Sequence, residues 1–177
     1  MMTRRIVMAC LLLSAVAVAQ TSNAKPSTKK TEAASKPATA KKLAWNPDEI
    51  QWGPAPPSLP AGAQFAVLEG DPSRPGLFTI RMKVPDGYKV QPHWHPTNED
   101  LTVISGTFNV GMGPKWDQSH PTSLSAGGFA SMPARMKHFA WTSGETVVQV
   151  HGNGPFVIKY VNPADNPVQP KKAATSK

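Results

Sequence analysis

Two of the chain's five histidines stand one residue apart in the stretch GYKVQPHWHPTNEDLTVISG, residues 87–106, and a glutamate follows them before the closing glycine. If 88–95 runs as a strand, His93 and His95 share a face with their Cα atoms about 6.6 Å apart. From that distance two imidazoles can converge on one ion. Pro96-Thr97-Asn98 interrupts the ladder, because proline has no N–H to donate. An antiparallel return at about 4.8 Å would then set Glu99 beside the pair, offering a carboxylate oxygen to the same ion. His138, which follows MPARMK and opens the run HFAWT, offers a third imidazole. A bare His-x-His also describes two solvent-facing strand residues. The full pattern of glycine, two histidines, glutamate and glycine at these spacings arises by chance in this composition about twice in 100,000.

Other side chains could complete a site. Gln149 and His151 lie on one face of ETVVQVH, opposite Val148 and Val150. If that face is inward they contact substrate or act as acid and base; if it is outward they face solvent. Phe108, Met112, Met132 and Trp141 would supply apolar lining, Tyr88 a hydrogen bond to substrate, and Trp94 packing or a pocket rim. His120, in DQSHPTS, falls in a surface loop.

The elements that must position these residues read as short strands. LFTIRMKV at 77–84 alternates, with Phe78, Ile80, Met82 and Val84 on one face and Thr79, Arg81 and Lys83 on the other; that is the period of a half-buried strand. PDGY at 85–88 is a turn signal. Further strand-like runs are QFAVLEG, DLTVISGTFNV, GGFASMP, HFAWT, ETVVQV and PFVIKYV, nearly all separated by Gly, Pro, Asn or Asp. Beyond the N-terminal apolar run, no sustained 3.6-residue apolar period occurs. Short strands at regular intervals imply an all-β sandwich or barrel.

The chain of 177 residues suffices for one domain with a core plus extensions. Residues 1–19 read as an export signal: Arg4 and Arg5, an apolar run from Ile6 to Ala19, and AVA at the cleavage position. The run is shorter than the about 20 residues a spanning helix needs. Removing it also removes Cys10, the only cysteine, so any metal site must use His, Asp or Glu. Residues 20–42, rich in Ala, Lys, Ser, Thr and Pro, read as a disordered linker. Residues 43–62 read as a proline-rich extended wrap, 63–165 as the folded domain, and 166–177 as a basic tail. The net charge of +8 belongs to these extensions, because residues 43–170 carry eight basic and ten acidic residues. That balance argues against nucleic-acid binding. The tether is expected to do no more than associate weakly with anionic envelope surfaces. The expected location is periplasmic or secreted.

At these residues the sequence resembles the cupin superfamily. Its first motif, G-x5-H-x-H-x3-E-x6-G, is matched in full by 87–106. Its second, G-x5-P-x-G-x2-H-x3-N, is matched by Gly127, Pro133 and His138, with Arg135 in place of the glycine and Thr142 in place of the asparagine. The resemblance covers roughly 60–165. It implies an antiparallel double-stranded β-helix, or jelly-roll barrel, that is often dimeric, with His93, His95, Glu99 and His138 as metal ligands. Three imidazoles and a carboxylate suit one divalent transition metal, Fe, Mn, Zn, Ni or Cu. In an octahedral ion two positions stay open for a small-molecule substrate. Two functions fit: a metal-dependent envelope enzyme (an oxygenase, or an isomerase or lyase of a sugar or acid), and a non-catalytic barrel that captures a small ligand or senses a metal.

Overall fold

The computed structural model describes residues 43–169. The expected signal at 1–19, the expected linker at 20–42 and all but the first residues of the basic tail lie outside them. Among the described residues nine strands form one curled antiparallel sheet: β1 (Gly53–Pro54), β2 (Gln64–Glu69), β3 (Gly76–Val84), β4 (Lys89–Trp94), β5 (Glu99–Met112), β6 (Thr122–Ser125), β7 (Phe129–Met132), β8 (His138–Gly154) and β9 (Lys159–Tyr160). The path β1-β2-β3-β8-β4-β9 is hydrogen-bonded in that order, and β5 joins it through β8 while also pairing β6 and β7. This is the all-β jelly roll that the strand pattern and motifs imply.

β8 holds the barrel together because it pairs with three strands: β3 along its second half, β4 near its start and β5 along most of its length. The runs HFAWT and ETVVQV, two strands by their turn signals, are one strand of 17 residues. Gly144, at φ +78°, lets it bend without ending it. Its even-numbered residues face inward: His138, Ala140, Thr142, Thr146, Val148 and Val150 are all buried.

β5 keeps its inward alternation only by breaking it once. Glu99, Leu101 and Val103 are buried, then Phe108 and Val110, so the inward set changes from odd to even numbers. The register against β8 shifts on both sides of Ser105, which is the action of a β-bulge. Gly106 sits at φ +80°, and a Cβ there would stand 2.4 Å from the Glu145 carbonyl oxygen. The motif's closing glycine is thus required by backbone contact.

The core of Phe78, Ile80, Leu101, Val103, Phe108, Val110, Met132, Ala140, Val148 and Val150 lies between the sheet's facing halves. The proline-rich segment runs along the domain and is pinned by two phenols. Tyr88 donates its O–H to the Pro60 carbonyl (2.7 Å) and Tyr160 donates to that of Ser58 (2.8 Å).

Two expectations need correction here. β4 and β5 form no hairpin: β4 pairs with β8 and β9, and β5 with β6, β7 and β8. Pro96-Thr97-Asn98 carries the chain to a different set of partners, so Glu99 lies opposite Met132 rather than beside His93. The run PFVIKYV contributes only β9, since residues 155–158 have no regular structure.

Candidate metal centre

His93 comes from the end of β4, His95 from the residue after the strand, Glu99 from the first position of β5 and His138 from the first position of β8. His93 and His138 are cross-strand partners, with ring centroids 4.2 Å apart. One ligand atom from each of the four residues lies within 4.8 Å of the others. That span is a few tenths of an ångström above the diameter of a coordination shell with bonds of about 2.0–2.2 Å. All four are buried, His138 at 3 % exposure and Glu99 at 8 %.

The protons are placed by backbone carbonyls. His93 Nδ1 lies 2.7 Å from the Gln91 oxygen, His95 Nδ1 3.0 Å from that of Val157, and His138 Nδ1 3.0 Å from that of Met136. A carbonyl can only accept, so each Nδ1 carries the hydrogen and each neutral ring keeps its lone pair on Nε2. Two of these nitrogens approach Glu99 Oε2, His138 Nε2 at 3.1 Å and His95 Nε2 at 3.4 Å. With neutral rings, these are contacts between acceptors. Oε2 is buried and has no aligned hydrogen-bond donor, and such an atom calls for a proton or a cation. A divalent transition ion fits this donor set: three Nε2 lone pairs and a carboxylate converge, with the carbonyls of Gln91, Val157 and Met136 behind the rings fixing the tautomers.

The same electrostatics shift the groups. Burial, aided by the neighbouring imidazoles of His138 and His95, pushes His93 down to about 3. Burial also lowers His95, against the pull of Glu99. Burial would raise Glu99, yet once His138 carries a proton on Nε2 the bond it donates to the carboxylate, with the imidazoles of His95 and His93 alongside, holds Glu99 down to about 2. His138 is pushed up, because the Glu99 carboxylate outweighs its burial. Without an ion, a proton shared by His138 and Glu99 relieves the acceptor contact.

The turn before His138 is held to the His93–Glu99 turn by two bonds. Arg135 N–H donates to the His95 carbonyl (2.8 Å), and Ala134 N–H to Asn98 Oδ1 (2.9 Å). Arg135 has φ +67°, the left-handed region that explains glycine at this place in the motif. Thr142, at the motif's asparagine position, donates its hydroxyl to the Pro85 carbonyl (2.7 Å) and accepts from Tyr88 N–H (3.1 Å). It fastens the Gly87 turn to β8.

Gln149 and His151 do not join the site. They face away from Val148 and Val150, and Gln149 Oε1 accepts from Arg81 Nε at 3.0 Å. Neither lines the cavity beside the four residues. At this end of β8 the inward face is formed by Val148 and Val150, so Gln149 and His151 lie outside. His120 is exposed, bonded to Ser119. Phe108 lines the cavity, whereas Met132 is core, Met112 is exposed and Trp141 packs against Trp116 and Phe139. Sequence reasoning missed Phe156, which stacks on the His95 ring at 4.2 Å, and the carbonyls of Gln91, Met136 and Val157. A carbonyl is common to every residue type and leaves no signal in the sequence.

The fold is that of the cupin jelly roll, and solved structures with the same fold extend across most of the described domain. The polyketide cyclase RemF from Streptomyces resistomycificus is 14% identical, with a TM-score of 0.59 over 71% of this chain and 89% of that one. A candidate acetylacetone dioxygenase from Methylibium petroleiphilum PM1 is 19% identical, with a TM-score of 0.56 over 75% of this chain and 89% of that one. An RmlC-like cupin from Ralstonia eutropha JMP134 is 16% identical, with a TM-score of 0.52 over 67% and 72%. At these identities the likeness is one of fold. Among curated proteins none matches. The chain belongs to the family described as a domain of unknown function, DUF4437, whose profile matches residues 19–159.

Proposed function

We propose that the protein is a metal-dependent enzyme of the cell envelope, holding one divalent transition ion on His93, His95, Glu99 and His138 and acting on a small organic molecule. One observation carries the proposal: three buried imidazoles, each with Nδ1–H committed to a carbonyl, turn their Nε2 atoms and a donor-less carboxylate oxygen toward one another. Three of the four residues, His93, His95 and Glu99, also face a cavity of about 360 Å³. When bound, such an ion supplies Lewis acidity or oxygen chemistry at the cavity wall. The carbonyls of Gln91, Val157 and Met136 hold the rings in orientation, and the apolar walls exclude water. With Gln149 and His151 outside, His93, His95 and Glu99 are, among the described residues, the only titratable ones lining the cavity. The export-signal pattern at 1–19 supports the envelope location.

The lack of a separate acid or base in the cavity also favours a non-catalytic barrel that only captures a ligand. Turnover separates the two. His138→Ala should keep its β-sheet circular dichroism and lose metal affinity by more than the 10- to 100-fold that loss of a supporting hydrogen bond costs, losing turnover with it. A variant that binds metal like wild type would refute the four-residue site, and a metal-loaded wild type that binds ligands without consuming them or O2 would leave only the capture reading.

A further inference from the structure

The cavity beside the cage has a composition that selects among substrates. Its walls are apolar side chains from several strands, including Phe65 of β2, Ile80 and Met82 of β3, and Leu101 and Phe108 of β5, with Phe156 beyond β8. Among its lining residues there is no Lys, Arg, Asp, Asn, Gln or Tyr, and outside the cage only Ser58 and Ser73 bring hydroxyls. The Ser73 hydroxyl already donates to Asp71 Oδ1 at 2.6 Å. Leu59 of the proline-rich segment covers a further part of the wall, held there by the Tyr88 and Tyr160 hydroxyls on the neighbouring carbonyls. All strong polar groups are therefore gathered on one side, at His93, His95 and Glu99.

A ligand's polar atoms must meet partners when it is buried, and a buried charge must meet an opposite charge. A sugar carries hydroxyls on every side. Here it would find partners only at the cage and at the two serines. A phosphate or a second carboxylate remote from the cage would find no cation. A cavity of about 360 Å³ stands at the small end of ligand pockets, which run from about 300 to 1,000 Å³, so the room is for a small molecule.

Resting on the metal-centre reading, we infer that the substrate is a small apolar or aromatic molecule, uncharged along its body, with one or two oxygen atoms gathered at the end that meets His93, His95 and Glu99. Among the chemistries open to such a site, this selects oxygenated hydrocarbons over sugars, sugar acids and phosphorylated metabolites. Met82 is a specificity-determining residue on this account, because it lines the wall and is not one of the four ligand residues.

The test is equilibrium binding to the metal-loaded full chain, read by calorimetry, with the metal content measured before and after. Para-ethylphenol and phenylpropanedione represent the proposed class; glucuronate and glucose phosphate represent the excluded ones. The first pair should bind at least about tenfold more tightly than the second, and Met82→Gln should weaken that pair about tenfold while the variant keeps its metal. Equal or tighter binding of glucuronate or glucose phosphate overturns the inference, as does a metal-loaded protein that binds none of the four. A Met82→Gln protein that keeps its metal and binds the apolar pair unchanged removes Met82 from the account of specificity. A wild type that holds no metal fails at the earlier step, and the substrate inference falls with the metal centre.

Discussion

Proton positions decide what the four central residues can do, and they respond to pH in a fixed direction. His93 is held near 3 by burial, far below the 6.5 of an exposed imidazole. Between those values the unfolded chain binds a proton that the folded chain does not, so stability rises with pH and is lost as pH falls from about 6.5 toward 3. His95 is lowered too and acts in the same sense, and Glu99, held to about 2, adds its loss below 4.5. His138 is raised, so its contribution is fully present below 6.5 and is lost only above that; it does not offset the acid effect. The metal-free protein should therefore be less stable at pH 4.5 than at pH 6, by on the order of 2 kcal/mol from His93 alone. Urea midpoints at the two pH values measure this, and equal midpoints would contradict buried neutral imidazoles. Thr142 gives a second test at this scale. Thr142→Ala removes both the bond to Pro85 and the one from Tyr88 in a buried position, and should cost about 2–3 kcal/mol in denaturant unfolding. A loss under half of that would mean that other bonds hold the Gly87 turn. The histidines and the glutamate were legible in the sequence because ligands depend on side-chain type. Their orienting carbonyls were not.

At the scale of elements, the site is made where three strand ends and one turn meet. β4 ends at His93–Trp94, β5 begins at Glu99 and β8 begins at His138. The Arg135 and Asn98 bonds tie the turn between β7 and β8 to the turn between β4 and β5. Arg135 holds a left-handed conformation that disfavours any side chain with a Cβ. Arg135→Gly should stabilise the protein by about 0.5–1 kcal/mol, the relief of strain less the extra freedom of glycine in the unfolded chain. A thermal or chemical melt checks the sign, and destabilisation would mean that the arginine side chain itself holds the turn. The alternation of β3 predicted its inward face, but the inner face of β5 could not be read past Gly106. A bulge inserts a residue and changes the parity, and its only mark in the sequence is a glycine that could equally end a strand. For the same reason HFAWT and ETVVQV read as two strands. Ser143-Gly144 has the composition of a turn, and only the pairing with β3 and β5 carries the strand through it.

Across the whole molecule, the all-β class followed from strand length and spacing, and the motif spacing supplied the barrel. Neither could place Gln149 and His151, because alternation leaves open which face is inward. That depends on Val150 meeting Ile80 and Leu101, and Val148 meeting Met82 and Val103, across the strands. The proline-rich segment's contribution to the cavity wall depends on hydrogen bonds from residues 88 and 160, far along the chain. The central claim is that residues brought from three strands form one metal site, and the metal content of the protein purified from its own host tests it most directly. Elemental analysis should find about one divalent transition ion per chain in the wild type and a large loss of it in His138→Ala at matched folding. Wild-type protein that is substoichiometric in every such metal at neutral pH, or an unchanged metal content in the variant, would contradict the account.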